Sequence, residues 1–136
     1  MRKYILFIGL GIVMLLASCG GGGAPSTAID VVMTDFQFVP NQFVVPAGEE
    51  ITISIVNSGA VVHNFVIMKL GTTAGQTFEE DDQVNVYWEE VDIQPGGDFS
   101  TIFTAPTEPG EYQIICRTEG HIVSGMIAKL IVVAGE

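Results

Sequence analysis

Apolar and polar residues alternate with a period of two along most of this chain. From Glu50 to Asn57, Ile51, Ile53 and Ile55 fall on one side, and Thr52 and Ser54 on the other. Such alternation marks a strand with one buried face. Ile29 to Val39, rich in Val, Phe and Ile, reads as one strand. Pro40-Asn41 then turns the chain into a short strand from Gln42 to Val45, which Pro46-Ala47-Gly48 ends. After the turn Asn57-Ser58-Gly59, Val61 to Leu70 reads as the next strand. Val84 to Ile93 is extended, Phe99 to Phe103 alternates again, Tyr112 to Cys116 is a strand, and Met126 to Val133 closes the series. Gly71 to Gln83 breaks the pattern with Gly, Thr and the acidic run Glu79-Glu80-Asp81-Asp82, and reads as a loop or a short helix. Helical periodicity is absent. Seven or eight short strands separated by Gly and Pro turns predict an all-β fold, a two-sheet Greek-key β-sandwich.

The N-terminus follows a different pattern. Arg2 and Lys3 precede an apolar run from Tyr4 to Leu16. The run is too short for a comfortable membrane span and has the form of an export signal. It ends in Leu16-Ala17-Ser18-Cys19, which resembles the bacterial lipoprotein signal. That resemblance implies cleavage before Cys19 and acylation of both its thiol and the new amino terminus. More than one acyl chain anchors a protein stably. The competing reading is an ordinary secretory signal with an incidental cysteine. Gly20 to Thr27 is a flexible linker by composition. The expected organisation is a signal peptide over 1–18, a lipidated Cys19 and linker over 19–27, and one folded domain over 28–136. The expected location is a bacterial membrane, on its periplasmic or exterior face.

Composition narrows the function. With 136 residues, 48% hydrophobic and 15% charged, the chain is globular and of single-domain size. Removal of the signal leaves three cations, Lys69, Arg117 and Lys129, against 16 acids, a net charge of −13. A surface so acidic repels nucleic acid and anionic headgroups and favours basic partners. The two cysteines of an exported protein would ordinarily suggest a disulfide. Here one lies in the lipoprotein-like motif and the other among metal-ligand types, so no disulfide is expected.

Those ligand types lie near the C-terminus, in Cys116-Arg117-Thr118-Glu119-Gly120-His121-Ile122-Val123-Ser124-Gly125-Met126. A thiol, an imidazole and a thioether follow one another with four residues between each pair, so one loop can wrap one ion. The only other histidine, His63, stands 53 residues before Cys116. Two His, one Cys and a weak axial Met are the donor set of a blue-copper electron-transfer site. Gly120 and Gly125 permit a tight loop. Asn64, next to His63, is placed to hydrogen-bond across to that loop, and nearby backbone amides are placed to tune the sulfur.

At these residues the chain resembles the cupredoxins, the small blue copper proteins. The resemblance rests on Pro46-Ala47-Gly48, His63-Asn64, Ala105-Pro106, Pro109-Gly110-Glu111-Tyr112 and the Cys116–Met126 loop. It covers residues 28 to 136. It implies one mononuclear type 1 copper, with His63, Cys116 and His121 as equatorial ligands and Met126 as the axial one. It also implies a monomeric, non-enzymatic electron carrier whose partners are redox proteins, with membrane electron-transport complexes as the expected class. Glu119-Gly120 stands where the family often has proline, and Arg117 follows the cysteine where a smaller residue is common.

The rivals fare worse on inventory. Singly, a buried Cys, Met or His is most often core. A dinuclear copper site would want a second Cys in the loop, catalytic zinc seldom uses Met, and a copper oxidase would need further His residues. Nucleophilic catalysis by Cys116 would need a base beside an open cleft. Met68 lies five positions from His63 and so faces the other side of a strand. The alternative functions that remain are a periplasmic copper-binding or copper-delivery protein and a metal-free interaction sandwich.

Overall fold

The computed structural model describes residues 23–135. The expected signal peptide, Cys19 and the first residues of the expected linker lie outside the described residues. Nine strands form among the described residues: β1 Ala28–Thr34, β2 Gln37–Val39, β3 Gln42–Pro46, β4 Glu50–Asn57, β5 His63–Met68, β6 Val86–Ile93, β7 Asp98–Thr104, β8 Gly110–Ile115 and β9 Ile127–Val133. They make a four-stranded sheet in the order β2-β1-β4-β7 and a five-stranded sheet in the order β3-β9-β8-β5-β6. The two-sheet all-β sandwich expected from the alternation is therefore present.

The extra strand comes from the run Ile29 to Val39. The chain reverses at Asp35-Phe36, and β2 folds back antiparallel on β1 with Met33 opposite Phe38. Apolar residues on both arms hide the turn from a pattern reading. Two other pairings are parallel, β1 with β4 and β3 with β9, so each sheet receives one strand from far along the chain.

The alternation on β4 holds as read: Ile51, Ile53 and Ile55 are fully buried. They meet Val31 and Met33 from β1, Phe65 and Ile67 from β5, and Leu130 and Val132 from β9 in one core. Burying each such aliphatic side chain contributes about 1.5–3 kcal/mol. Tyr112 closes the far end of β8, where its hydroxyl donates to the Glu108 carbonyl at 2.7 Å.

Strand β5 departs from alternation, since all six of its residues are buried. Its outward-facing Val66 and Met68 form a second, smaller cluster with Ala74, Ile115 and Ile122, against which Phe78 and Val86 pack. The segment between β5 and β6 thus covers the outer face of the sheet. It includes a 3-10 helix, Glu80–Asn85, with a capping box between Glu79 and Asp82. The helix takes Val84 and Asn85, so β6 begins at Val86. The acidic run remains largely exposed, as a solvated segment would.

Candidate metal centre

Four segments converge at one end of the sandwich. They are the start of β5, the β8–β9 loop, the β1–β2 turn, and the loop from Ser58 to Val62. The β8–β9 loop is closed by its own backbone. His121 N–H donates to Thr118 O (3.1 Å), Ser124 N–H to Gly120 O (3.1 Å), Gly125 N–H to Ile122 O (2.9 Å) and Met126 N–H to His121 O (2.9 Å). Gly120 and Gly125 take φ of 80° and 93°, the left-handed region where a side chain would be strained. At the loop's base Cys116 N–H donates to Met126 O (3.3 Å), so the first and last residues of the motif face each other.

Three potential donors meet inside this frame. Cys116 Sγ lies 3.2 Å from His121 Nδ1 and 3.8 Å from His63 Nδ1, and the two Nδ1 atoms are 3.2 Å apart. The donor atoms all lie within 4.8 Å of one another. A trigonal ion with bonds of about 2.0 Å to nitrogen and 2.3 Å to sulfur would hold its donors about 3.5 Å apart, so the residues fit one. Cys116, His63 and Met126 are fully buried and His121 is 5% exposed. A soft thiolate with imidazole and thioether is a donor set that suits copper better than hard cations.

His121 does not reach the surface as its loop position suggests. Phe36, from the β1–β2 turn, packs edge-on against it with ring centroids 4.8 Å apart. Ile122 is also buried, drawn into the outer cluster over β5. Val123, Val61 and Phe36 are exposed apolar residues near the site. Met68 faces away from the donors into the outer cluster, and Met33 belongs to the main core.

The segments are tied by Asn64. Its Nδ2 donates to Thr118 Oγ1 at 2.9 Å, and its Oδ1 accepts from Asp92 N–H at 3.0 Å. Its backbone N–H points at Cys116 Sγ, 3.3 Å away. Thr118 in turn donates to Val62 O at 3.3 Å. Asp92 sits where the β5–β6 register shifts between His63 and Phe65, with φ of 56°. A bulge there costs local strain, and it delivers an amide to Asn64.

Arg117, the unusual neighbour of the cysteine, turns outward. It pairs with Glu89 at 2.8 Å and Gln83 at 3.1 Å and lies over the Phe78 ring. It thereby pins the covering segment to the base of the loop.

One contributor carries no signal in the sequence. Asp35, at the β1–β2 turn, places Oδ1 3.0 Å from His63 Nε2. Its carboxylate also accepts from Ala60 N–H, at 2.9 Å to Oδ2 and 3.2 Å to Oδ1. The Ala60 amide does most to hold the Asp35 carboxyl below its ordinary pKa, and His63 works in the same direction against desolvation. Burial pushes His121 below the usual imidazole value; the nearby His63 adds to this and Asp35 opposes it.

A β-sandwich that closes a thiol and two imidazoles into a single buried triangle belongs among small metal-binding redox domains. The chain is a member of the cupredoxin-like domain family, whose model matches residues 6–132. It is 28% identical to auracyanin-A of Chloroflexus aurantiacus across 89% of this chain and 91% of that protein. It is 27% identical to sulfocyanin of Sulfolobus acidocaldarius over 95 residues, and spans about half of that protein, 48%. Dithionite-reduced auracyanin from Roseiflexus castenholzii superposes with a TM-score of 0.68 at 28% identity, covering 81% of this chain and 99% of that one.

Proposed function

We propose that this chain is an exported, lipid-anchored blue copper protein that carries single electrons between membrane redox complexes. The signal over 1–18, the lipidated Cys19 with its linker, and a monomeric domain over 28–136 are part of that reading. His63, Cys116, His121 and Met126 would hold the copper, the thiolate and imidazoles strongly and the Met126 thioether weakly. The observation that carries the reading is the triangle of Cys116 Sγ and the two Nδ1 atoms, 3.2 to 3.8 Å on a side. The kinship supports the choice of metal, since auracyanin A of Chloroflexus aurantiacus is a "blue" copper protein.

Copper, when bound, supplies a one-electron couple. The protein's part is to hold the donors still. The Cys116–Met126 loop is braced by its own hydrogen bonds, and Asn64 fastens it to the His63 segment. Ligands fixed in this way move little when the metal changes charge, which keeps the reorganisation cost of electron transfer low. Burial excludes water from the sulfur.

Adding one equivalent of Cu(II) to the purified apo-protein tests the reading. An intense orange-red absorption, fast electron self-exchange and copper retained against a chelator are expected. Copper lost readily to the chelator, with slow self-exchange, would favour copper delivery instead, and the absence of any such band would remove the copper reading.

A further inference from the structure

Within the copper reading, we propose that Asp35 is a positioning residue for His63 and that its negative charge holds down the reduction potential of the site. The imidazole of His63 has two nitrogens with different tasks. Nδ1 faces Cys116 and His121, whereas Nε2 faces the Asp35 carboxylate at 3.0 Å. A carboxylate only accepts hydrogen bonds, so the proton of the neutral ring sits on Nε2 and the lone pair of Nδ1 points into the donor triangle. The ring is thus set in the binding tautomer before any metal arrives. A carboxylate on the far nitrogen of a ligating imidazole also makes the ligand more basic. Added negative charge favours the doubly charged cupric ion over the cuprous one.

The surroundings are shaped to this contact. A Cβ on Gly59 would fall on Asp35 Oδ1 and lie 2.7 Å from His63 Nε2, so the residue passing over the pair must lack a side chain. Asn57, fully buried, holds that glycine in place. Its Oδ1 accepts from Gly59 N–H at 2.9 Å, while its Nδ2 donates to Val61 O at 2.9 Å and Ile93 O at 2.8 Å. Ala60 N–H then fixes the carboxylate. Asp35 is 32% exposed and His63 is not exposed at all, so the charge lies at the rim of the site with its ligand contact on the buried side.

Three variants test the assignment. Asp35→Asn keeps the size of the side chain and an acceptor oxygen but loses the charge. Asp35→Ala loses both. Gly59→Ala keeps both partners and pushes them apart. In copper-loaded Asp35→Asn, the blue band persists and Cu(II) binding weakens about tenfold, the low end for such partners because Asp35 is partly in solvent. With Cu(I) binding unchanged, that loss raises the potential by about 59 mV. Gly59→Ala shifts the potential in the same direction. In the metal-free protein, nitrogen NMR finds His63 protonated on Nε2 in the wild type and a mixture of tautomers in Asp35→Ala. An unchanged potential in Asp35→Asn with the blue band intact overturns the electrostatic role. A single His63 tautomer in Asp35→Ala overturns the positioning role. A wild type that never turns blue overturns the copper reading, and the metal-free tautomer still reports on positioning.

Discussion

Asn64 and Thr118 join the two ligand-bearing segments through one hydrogen bond, Nδ2 to Oγ1 at 2.9 Å, across 54 residues of sequence. Asn64 is buried and also receives the Asp92 amide. Asn64→Leu would remove both bonds, although the Thr118 hydroxyl keeps its bond to Val62 O. Each part-buried hydrogen bond contributes about 0.5–1.5 kcal/mol, so the variant should lose about 1–3 kcal/mol of stability and unfold at a lower denaturant concentration. Equilibrium denaturation of the metal-free protein measures it. A midpoint equal to wild type would show that the tie contributes nothing to stability.

Cys116→Ser should abolish the blue colour, because the colour arises from thiolate-to-copper charge transfer and Cys116 is the free cysteine among the described residues. The visible spectrum after Cu(II) addition decides it; a Ser variant that stayed blue would sink the ligand assignment.

Met126→Gln should retain copper and lower the reduction potential. An amide oxygen stabilises Cu(II) more than a thioether does, and the axial donor tunes potential in such sites. Voltammetry showing no shift would leave Met126 as a core residue that merely closes the loop.

Cys19→Ala should move the protein from the membrane to the soluble fraction, since the lipid anchor is lost and the sandwich is untouched. Continued recovery in the membrane pellet would point to an uncleaved apolar N-terminus instead.

Val123→Asp should slow electron transfer to the native partner with the blue spectrum nearly unchanged. Val123 is 65% exposed on the loop that carries His121, and Val61 and Phe36 are also exposed near the site. Small redox contacts need only a few such residues, while the acidic surface sets the encounter rate and its salt dependence. Wild-type transfer in Val123→Asp, together with slower transfer at low salt after neutralising Glu79 to Asp82, would assign docking to the acidic segment.

The donors were legible because their residue types are rare in this chain: two His and two Cys leave few ways to build a site. The sandwich was legible because strands such as β4 bury every second residue. The turn at Asp35-Phe36 was not legible, because apolar residues flank it on both sides. With it went Asp35 and Phe36, which reach His63 and His121 only through the fold. Ile122 stands beside His121 in a loop, a place that by itself suggests exposure. It is buried because the β5–β6 segment lies over the outer face of the sheet, a long-range packing choice that no local period records.

The pairing of β3 with β9 sets the order in which this protein matures. Phe43 on β3 lies opposite Leu130 on β9, and β9 also pairs with β8. Until β9 has emerged from the ribosome, β3 has no partner in its sheet and the loop ending at Met126 has no far anchor. Contacts so distant in sequence form slowly and late. The ion site is therefore among the last parts to be assembled, and metal acquisition belongs to the finished domain rather than to the emerging chain.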